Sequence, residues 1–136
     1  FIGSPQMNFV DATVGERAGK ITLTFGSNTI TVPESKAAAL RPYIGKVVVA
    51  GIRPEDVVEE HEYSEQKFLS ESIEASVTVY ELLGSEAMIY GEVDGGVISA
   101  HLSATNPVRT GSRIKVAFDV NKLHVFDKET ELAIVH

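Results

Sequence analysis

Glycine–lysine pairs are the first place to look for phosphate chemistry in this chain. A phosphate-binding loop needs four residues between its first Gly and the Gly-Lys pair, then Ser or Thr for magnesium. Gly15-Glu16-Arg17-Ala18-Gly19-Lys20 has three, and Ile21 follows; Gly45-Lys46 is followed by Val47. Neither binds nucleotide in that mode. There is no Gly-x-Ser-x-Gly elbow and no His-Glu-x-x-His pair. The four histidines are His61, His101, His124 and His136, and no two stand two to four residues apart as metal ligands on one element do. His61, between Glu60 and Glu62, reads as a solvated side chain, with a weak divalent-ion site as the sharper alternative. Adjacent acids such as Glu55-Asp56 and Glu59-Glu60 read as solvated charge. General acid–base work needs carboxylates in a water-poor pocket that separates their pKa values.

Composition removes further classes. The chain has 136 residues and no cysteine, so disulfides, thiol catalysis and thiolate metal sites are excluded. Twelve Lys and Arg against nineteen Asp and Glu give a net charge of −7, the wrong sign for neutralising phosphate backbones. Aromatic residues are few, and Phe25, Phe118 and Phe126 stand among sparse basic neighbours. They read as core rather than as base-stacking platforms. No apolar run is long enough to cross a bilayer as a helix. The first residue is Phe1, and the segment reads as the middle or end of a longer chain.

The elements that must position any site are mostly strands. Ile21, Leu23 and Phe25 alternate with polar residues, Gly26-Ser27-Asn28 forms a turn, and Ile30 and Val32 return, which predicts a hairpin. Residues 34–43 form the one helical candidate, with Ser35 as a possible cap and Pro42 ending it. Lys46 to Ile52 is an apolar strand. Residues 55–74 hold eight acids and one base, Lys67; they read as a solvated connection, with an acidic docking surface as the alternative. Period-two segments resume after that: 75–80, 87–91 after the Gly84-Ser85 turn, 97–102 after Asp94-Gly95-Gly96, 114–118, 123–126 and 132–135. Nine or ten short strands and one short helix predict an all-β small barrel or sandwich. The chain reads as one domain, 1–136, whose strand groups 1–54 and 74–136 are joined by the acidic segment 55–73.

Two segments carry more than composition: Phe1-Ile2-Gly3-Ser4-Pro5-Gln6-Met7-Asn8-Phe9 and Gly51-Ile52-Arg53-Pro54-Glu55. Together they resemble the C-terminal regulatory domain of ATP-binding subunits in bacterial ABC importers of the maltose and multiple-sugar type. Val79 to Glu86 with Gly84, Pro107 to Ile114 with Gly111, and Phe118-Asp119 to Phe126-Asp127 fall in that family's order. The resemblance implies an OB-like, TOBE-type small barrel and a non-catalytic, regulatory and dimer-stabilising role. It implies a second copy of the subunit as partner, permease subunits reached through a missing ATPase domain, and in some members a regulatory protein. ATP and magnesium belong to that missing domain, so no cofactor, metal, catalytic residue, nucleic acid or membrane insertion is expected of this segment. The expected location is the cytoplasmic face of the membrane.

The signature residues so carried over are Phe1, Gly3, Pro5, Asn8, Gly51, Arg53, Pro54, Glu55, Gly84, Gly111, Asp119 and Phe126, each in a structural role. Pro5 and Pro54 fix φ, Gly3 and Gly51 allow close backbone passage, and Arg53 is expected to act as an internal clamp, tying strand ends or pairing with Glu55. The competing reading is a stand-alone domain binding an oxyanion such as molybdate, with Ser103, Thr105 and Lys115 as its candidate residues.

Overall fold

A computed structural model describes residues 7–65 and 67–136. Among the described residues, eleven strands form two antiparallel sheets. In the first half of the chain, β1 (Asn8–Arg17), β2 (Lys20–Phe25), β3 (Asn28–Thr31) and β4 (Val47–Ile52) surround one short helix, α1 (Glu34–Leu40). Then come β5 (Val57–Glu59), β6 (Ile73–Leu83), β7 (Glu86–Val93), β8 (Gly96–Ser103), β9 (Arg113–Phe118), β10 (His124–Asp127) and β11 (Ala133–Val135). The first sheet runs β11-β10-β4-β1-β2-β3 and the second β5-β9-β6-β7-β8. The edge strands β5 and β8 of the second sheet lie against each other, so it curls nearly closed. This is the all-β small barrel that the period-two pattern predicts.

Alternation explains each inward face. Val10, Ala12 and Val14 on β1, Leu23 and Phe25 on β2, and Ile73, Ala75 and Val77 on β6 are buried, with polar residues mostly between them. The buried side chains of both sheets form one apolar cluster. Phe25 of β2 stacks on Phe118 of β9 at 6.1 Å, with the rings 8° from parallel, and so joins the two sheets through their core.

Three details depart from the expectations. Ser35 does not cap α1: Pro33 holds the cap position with no side-chain hydrogen bond, and a 3-10 turn over Arg41–Tyr43 continues the helix. Proline serves there because its φ is already set and a helix start needs no N–H from it. Residues 8–17, which carry a motif, are also a strand, and β1 is internal to its sheet, between β4 and β2. The acidic connection is not merely solvated. Val57, Val58 and Glu59 are buried as β5 and pair with β9, because a covered edge satisfies backbone groups that a loop would leave to water.

Candidate functional site

The two signature segments, some forty residues apart in sequence, are cross-strand neighbours. Asn8 pairs with Ile52 and Phe9 with Gly51 on β1 and β4. Phe1, Gly3 and Pro5 lie outside the described residues. Gly51 is buried where a side chain has no room: a Cβ there would collide with the Met7 side chain and stand 3.1 Å from the Phe126 ring. Phe126 also meets Phe9 edge-to-face at 6.0 Å, which places it over the pair.

Asn8 links the sheets. Its Nδ2 donates to the Ser99 carbonyl at 2.9 Å, while the Ser99 N–H donates to Oδ1 at 2.8 Å and the Ser99 hydroxyl at 3.0 Å. Strand β8 is an edge, so Ser99 turns a peptide group away from its sheet, and the carboxamide meets that group as a neighbouring strand would. A second clasp joins two turns. Gly26 and Gly95, at φ +60° and +98°, pack backbone to backbone: a Cβ on Gly95 would stand 2.8 Å from the Gly26 nitrogen. There the Ser27 N–H donates to an Asp94 carboxylate oxygen at 2.8 Å, and Asn28 Nδ2 donates to the Asp94 carbonyl at 2.8 Å. The Ser27 donation holds the Asp94 carboxyl below its usual range. A third tie is the Glu71 carboxylate, which accepts from the Thr31 N–H at 3.0 Å and hydroxyl at 2.7 Å.

After Gly51-Ile52, the segment turns along the second barrel. Pro54 is buried and opens a 3-10 turn over Pro54–Asp56. Burial, then the charges of Glu55 and Asp119, raises the Asp56 carboxyl. Arg53 is a correction to the expected clamp. Its side chain is exposed and makes no hydrogen bond or ion pair among the described residues, with Glu55 or otherwise. The chain turns at Pro54, and Arg53 stays on the outer face of the first sheet. Glu55 is exposed too, in a groove with Glu62, Glu86 and His101.

Beyond β5 lies a buried polar knot. The Glu59 side chain is fully covered. It accepts from Asn106 Nδ2 at 2.8 Å and contacts His61 Nδ1 at 2.8 Å. Asn106 Nδ2 also donates to Glu62 at 2.7 Å, and Glu62 accepts the Ser103 N–H at 3.0 Å. Asn106 in turn accepts the Val108 N–H and, through its carbonyl, Arg109 Nη1; the Arg109 guanidinium lies 4.6 Å from the centre of the Tyr80 ring. The hydrogen bond to Glu59, followed by its charge, raises the His61 imidazole. The knot therefore holds an imidazole–carboxylate pair, but among the described residues no hydroxyl nucleophile is bonded to the imidazole.

The other signature residues are scattered. Gly84 and Gly111 sit in turns at φ +69° and +90°, with open space around a Cβ. Asp119 is buried and caps a 3-10 turn by accepting the Asn121 N–H. The nine described signature residues thus belong to several structural devices and not to one pocket. Nor do the three oxyanion candidates meet. The Ser103 and Thr105 hydroxyls bond each other at 2.9 Å, the Ser103 N–H is taken by the chain's own Glu62, and Lys115 lies on β9, with β6 and β7 between it and β8 in sheet order. A polar cleft of about 430 Å³ between the sheets is lined by Ser27, Ser76, Arg113 and three carboxylates, with Arg113 already tied to Glu74 at 2.9 Å. That lining disfavours an anion. Among the described residues no three His, Asp or Glu side chains gather as metal ligands do.

Sequence reasoning missed Ser99, Asn106, Glu59 and Glu71, because their partners lie 40 to 91 residues away. Asp94 was visible only as part of a turn.

Two antiparallel sheets sharing one core, one of them curled nearly closed, define the class as an OB/TOBE-type small barrel protein. The MalK OB fold domain matches residues 3–57, and the TOBE domain matches residues 50–126. The chain belongs to the TOBE domain family. It is 46% identical over 136 residues to the oligosaccharides import ATP-binding protein MsmX of Bacillus subtilis, covering 98% of this chain and 36% of that protein. The multiple sugar-binding transport ATP-binding protein MsmK of Streptococcus mutans is 35% identical, with 98% and 35% covered. The trehalose/maltose import ATP-binding protein MalK of Thermococcus litoralis is also 35% identical, with 98% and 36% covered. The chain thus spans about a third of the length of these curated relatives. In structure it is similar to the cytoplasmic molybdate-binding protein ModG, with a TM-score of 0.69, 16% identity, and 91% of this chain and 98% of that one covered. At that identity the likeness is one of fold.

Proposed function

We propose that this chain is the non-catalytic, regulatory and dimer-stabilising part of an ABC importer ATP-binding subunit that serves sugar uptake. The observation that carries this reading is the near-complete coverage of the chain by ATP-binding proteins of sugar importers, at up to 46% identity among those compared. The geometry supports it. Three side-chain clasps, from Asn8, Asp94 and Glu71, help hold the two sheets together over one core. A rigid body appended to a motor domain adds contact between copies, so a dimer persists when nucleotide-dependent contacts part. In this reading the partners are a second copy and, through the ATPase domain, permease subunits at the cytoplasmic face of the membrane. ATP and magnesium act in that domain and not here.

The test has two arms. The coding region upstream of the Phe1 codon is sequenced, and a phosphate-binding loop with an ABC signature is the expected result; a start codon just upstream overturns the reading. The encoded full-length subunit is then compared with the same subunit lacking residues 1–136, by sedimentation without nucleotide. Deletion is expected to weaken self-association about tenfold or more, equivalent to ~1.4 kcal/mol. Equal association in both forms overturns the dimer-stabilising role.

A further inference from the structure

The outer face of the first sheet gathers positive charge in a chain whose net charge is −7. His124 on β10 pairs with Gly51 on β4. Arg53, two residues on, is therefore its diagonal neighbour on the same face, about 7–8 Å away between backbones. The His136 ring meets the His124 ring edge-on at 5.7 Å, and Lys36 Nζ donates to the His136 carbonyl. Phe126 stacks on the other side of His124 at 6.4 Å, with Phe9 edge-on beyond it. Four rings in a row thus end in a cationic cluster.

The cluster is unbalanced. The groups whose charge bears on His124 are Arg53, just past β4, His136, just past β11, and Lys36 on α1, and each acts to lower its imidazole. Burial first, then these three, lowers the His124 imidazole. Three exposed cations elsewhere are paired with carboxylates: Arg41 with Glu16, Arg113 with Glu74 and Lys128 with Asp11. The exposed Arg53 guanidinium pairs with no described group. An arginine fork, an ammonium and two imidazoles on one face are complementary to a tetrahedral oxyanion.

We propose that Arg53, Lys36, His124 and His136 form a binding site for a phosphate group, either as free phosphate or as the phosphate of a monoester whose ring lies on Phe126. Bound phosphate supplies the negative charge that the cluster lacks.

The test follows the imidazole signals of the 136-residue chain by nuclear magnetic resonance across pH, in chloride and in inorganic phosphate at matched ionic strength. Phosphate is expected to raise the proton affinity of His124 about tenfold. The double variant Arg53→Gln, Lys36→Gln is expected to abolish that rise, while Lys115→Gln, which removes an exposed cation on β9, is expected to keep it. Adenosine monophosphate distinguishes the two sources: tighter binding than inorganic phosphate, with shifts at Phe126 and Phe9, assigns a ring-bearing monoester, and equal binding assigns phosphate itself. An unchanged His124 titration in phosphate overturns the site. So does an equal loss in Lys115→Gln, because the effect is then one of general charge.

Discussion

Replacing Asn8 with Ala should loosen the joint between the two sheets. The carboxamide satisfies both the N–H and the C=O of Ser99, at 2.8 and 2.9 Å, and accepts the Ser99 hydroxyl as well. Ser99 is 9% exposed, so truncation leaves both of its backbone groups short of water. A buried polar group deprived of its partner costs about 1–3 kcal/mol. Asn8 itself is half-buried, and water can reach the gap from its side, which sets the sum near the low end, about 2–3 kcal/mol for the two groups. The hydroxyl can turn to another acceptor and adds little. For a chain of this length that loss lowers the melting temperature by roughly 7–10 °C. Urea unfolding should show a lower midpoint with an unchanged slope, because the core area is retained. Ser99→Ala removes only the hydroxyl contact and should cost about 1 kcal/mol or less. A loss below about 1 kcal/mol for Asn8→Ala, or equal losses in the two variants, would refute the edge-satisfaction argument.

Three further outcomes are expected. Gly95→Ala meets both a positive φ and a 2.8 Å approach to the Gly26 nitrogen, so it should cost more than Gly111→Ala, which has the φ penalty with open space; the second should lose about 1–2 kcal/mol by chemical denaturation and the first visibly more. Because His61 has its folded pKa raised above the ordinary 6.5 by Glu59, its contribution to stability is full below that value and fades as pH rises through the folded value. His61→Gln should therefore flatten the stability–pH profile in the neutral range, and an unchanged slope there contradicts the pairing. Finally, residues 1–56 and 57–136 made as separate polypeptides should not fold alone; a cooperative thermal transition in either, followed by circular dichroism, would show that the halves are independent.

That last expectation comes from where the strands go. The family matches divide the chain near residues 50–57, and so did its composition. The sheets do not respect that division. Strand β10 lies at the end of the TOBE match, which takes in all but its last residue, yet pairs with β4, continuing the first sheet, and β5 leaves the acidic stretch to pair with β9. Cutting at 56 bares β4 along one side, so each half keeps an unpaired edge and loses part of the shared core.

What sequence could show follows from range. The 21–32 hairpin and α1 are visible because their signals lie within a few residues: alternation, a Gly turn and a run of helix formers. β1 has the same alternation in Val10, Ala12 and Val14, but it begins inside a signature segment, at Asn8, whose residues read as a motif rather than as a strand. β5 could not be read, because three residues among eight acids look solvated until β9, almost sixty positions later, covers them. Glu59 is the sharpest case. A carboxylate in an acidic run is ordinarily a surface charge. Here it is buried because Asn106, 47 residues on, and the neighbouring His61 ring supply the donors that water would have given. The same reasoning separates the candidate sites. Signature glycines and prolines announce backbone geometry locally, so they were legible, though scattered over several devices. The proposed cationic face was not, because Arg53, Lys36, His124 and His136 are sparse in sequence and meet only through the β4–β10 register, the His124–His136 ring contact and the Lys36 hydrogen bond to His136. Net charge is a property of the chain, whereas a binding face is a property of register, and a chain of net charge −7 can still present a positive surface on one sheet.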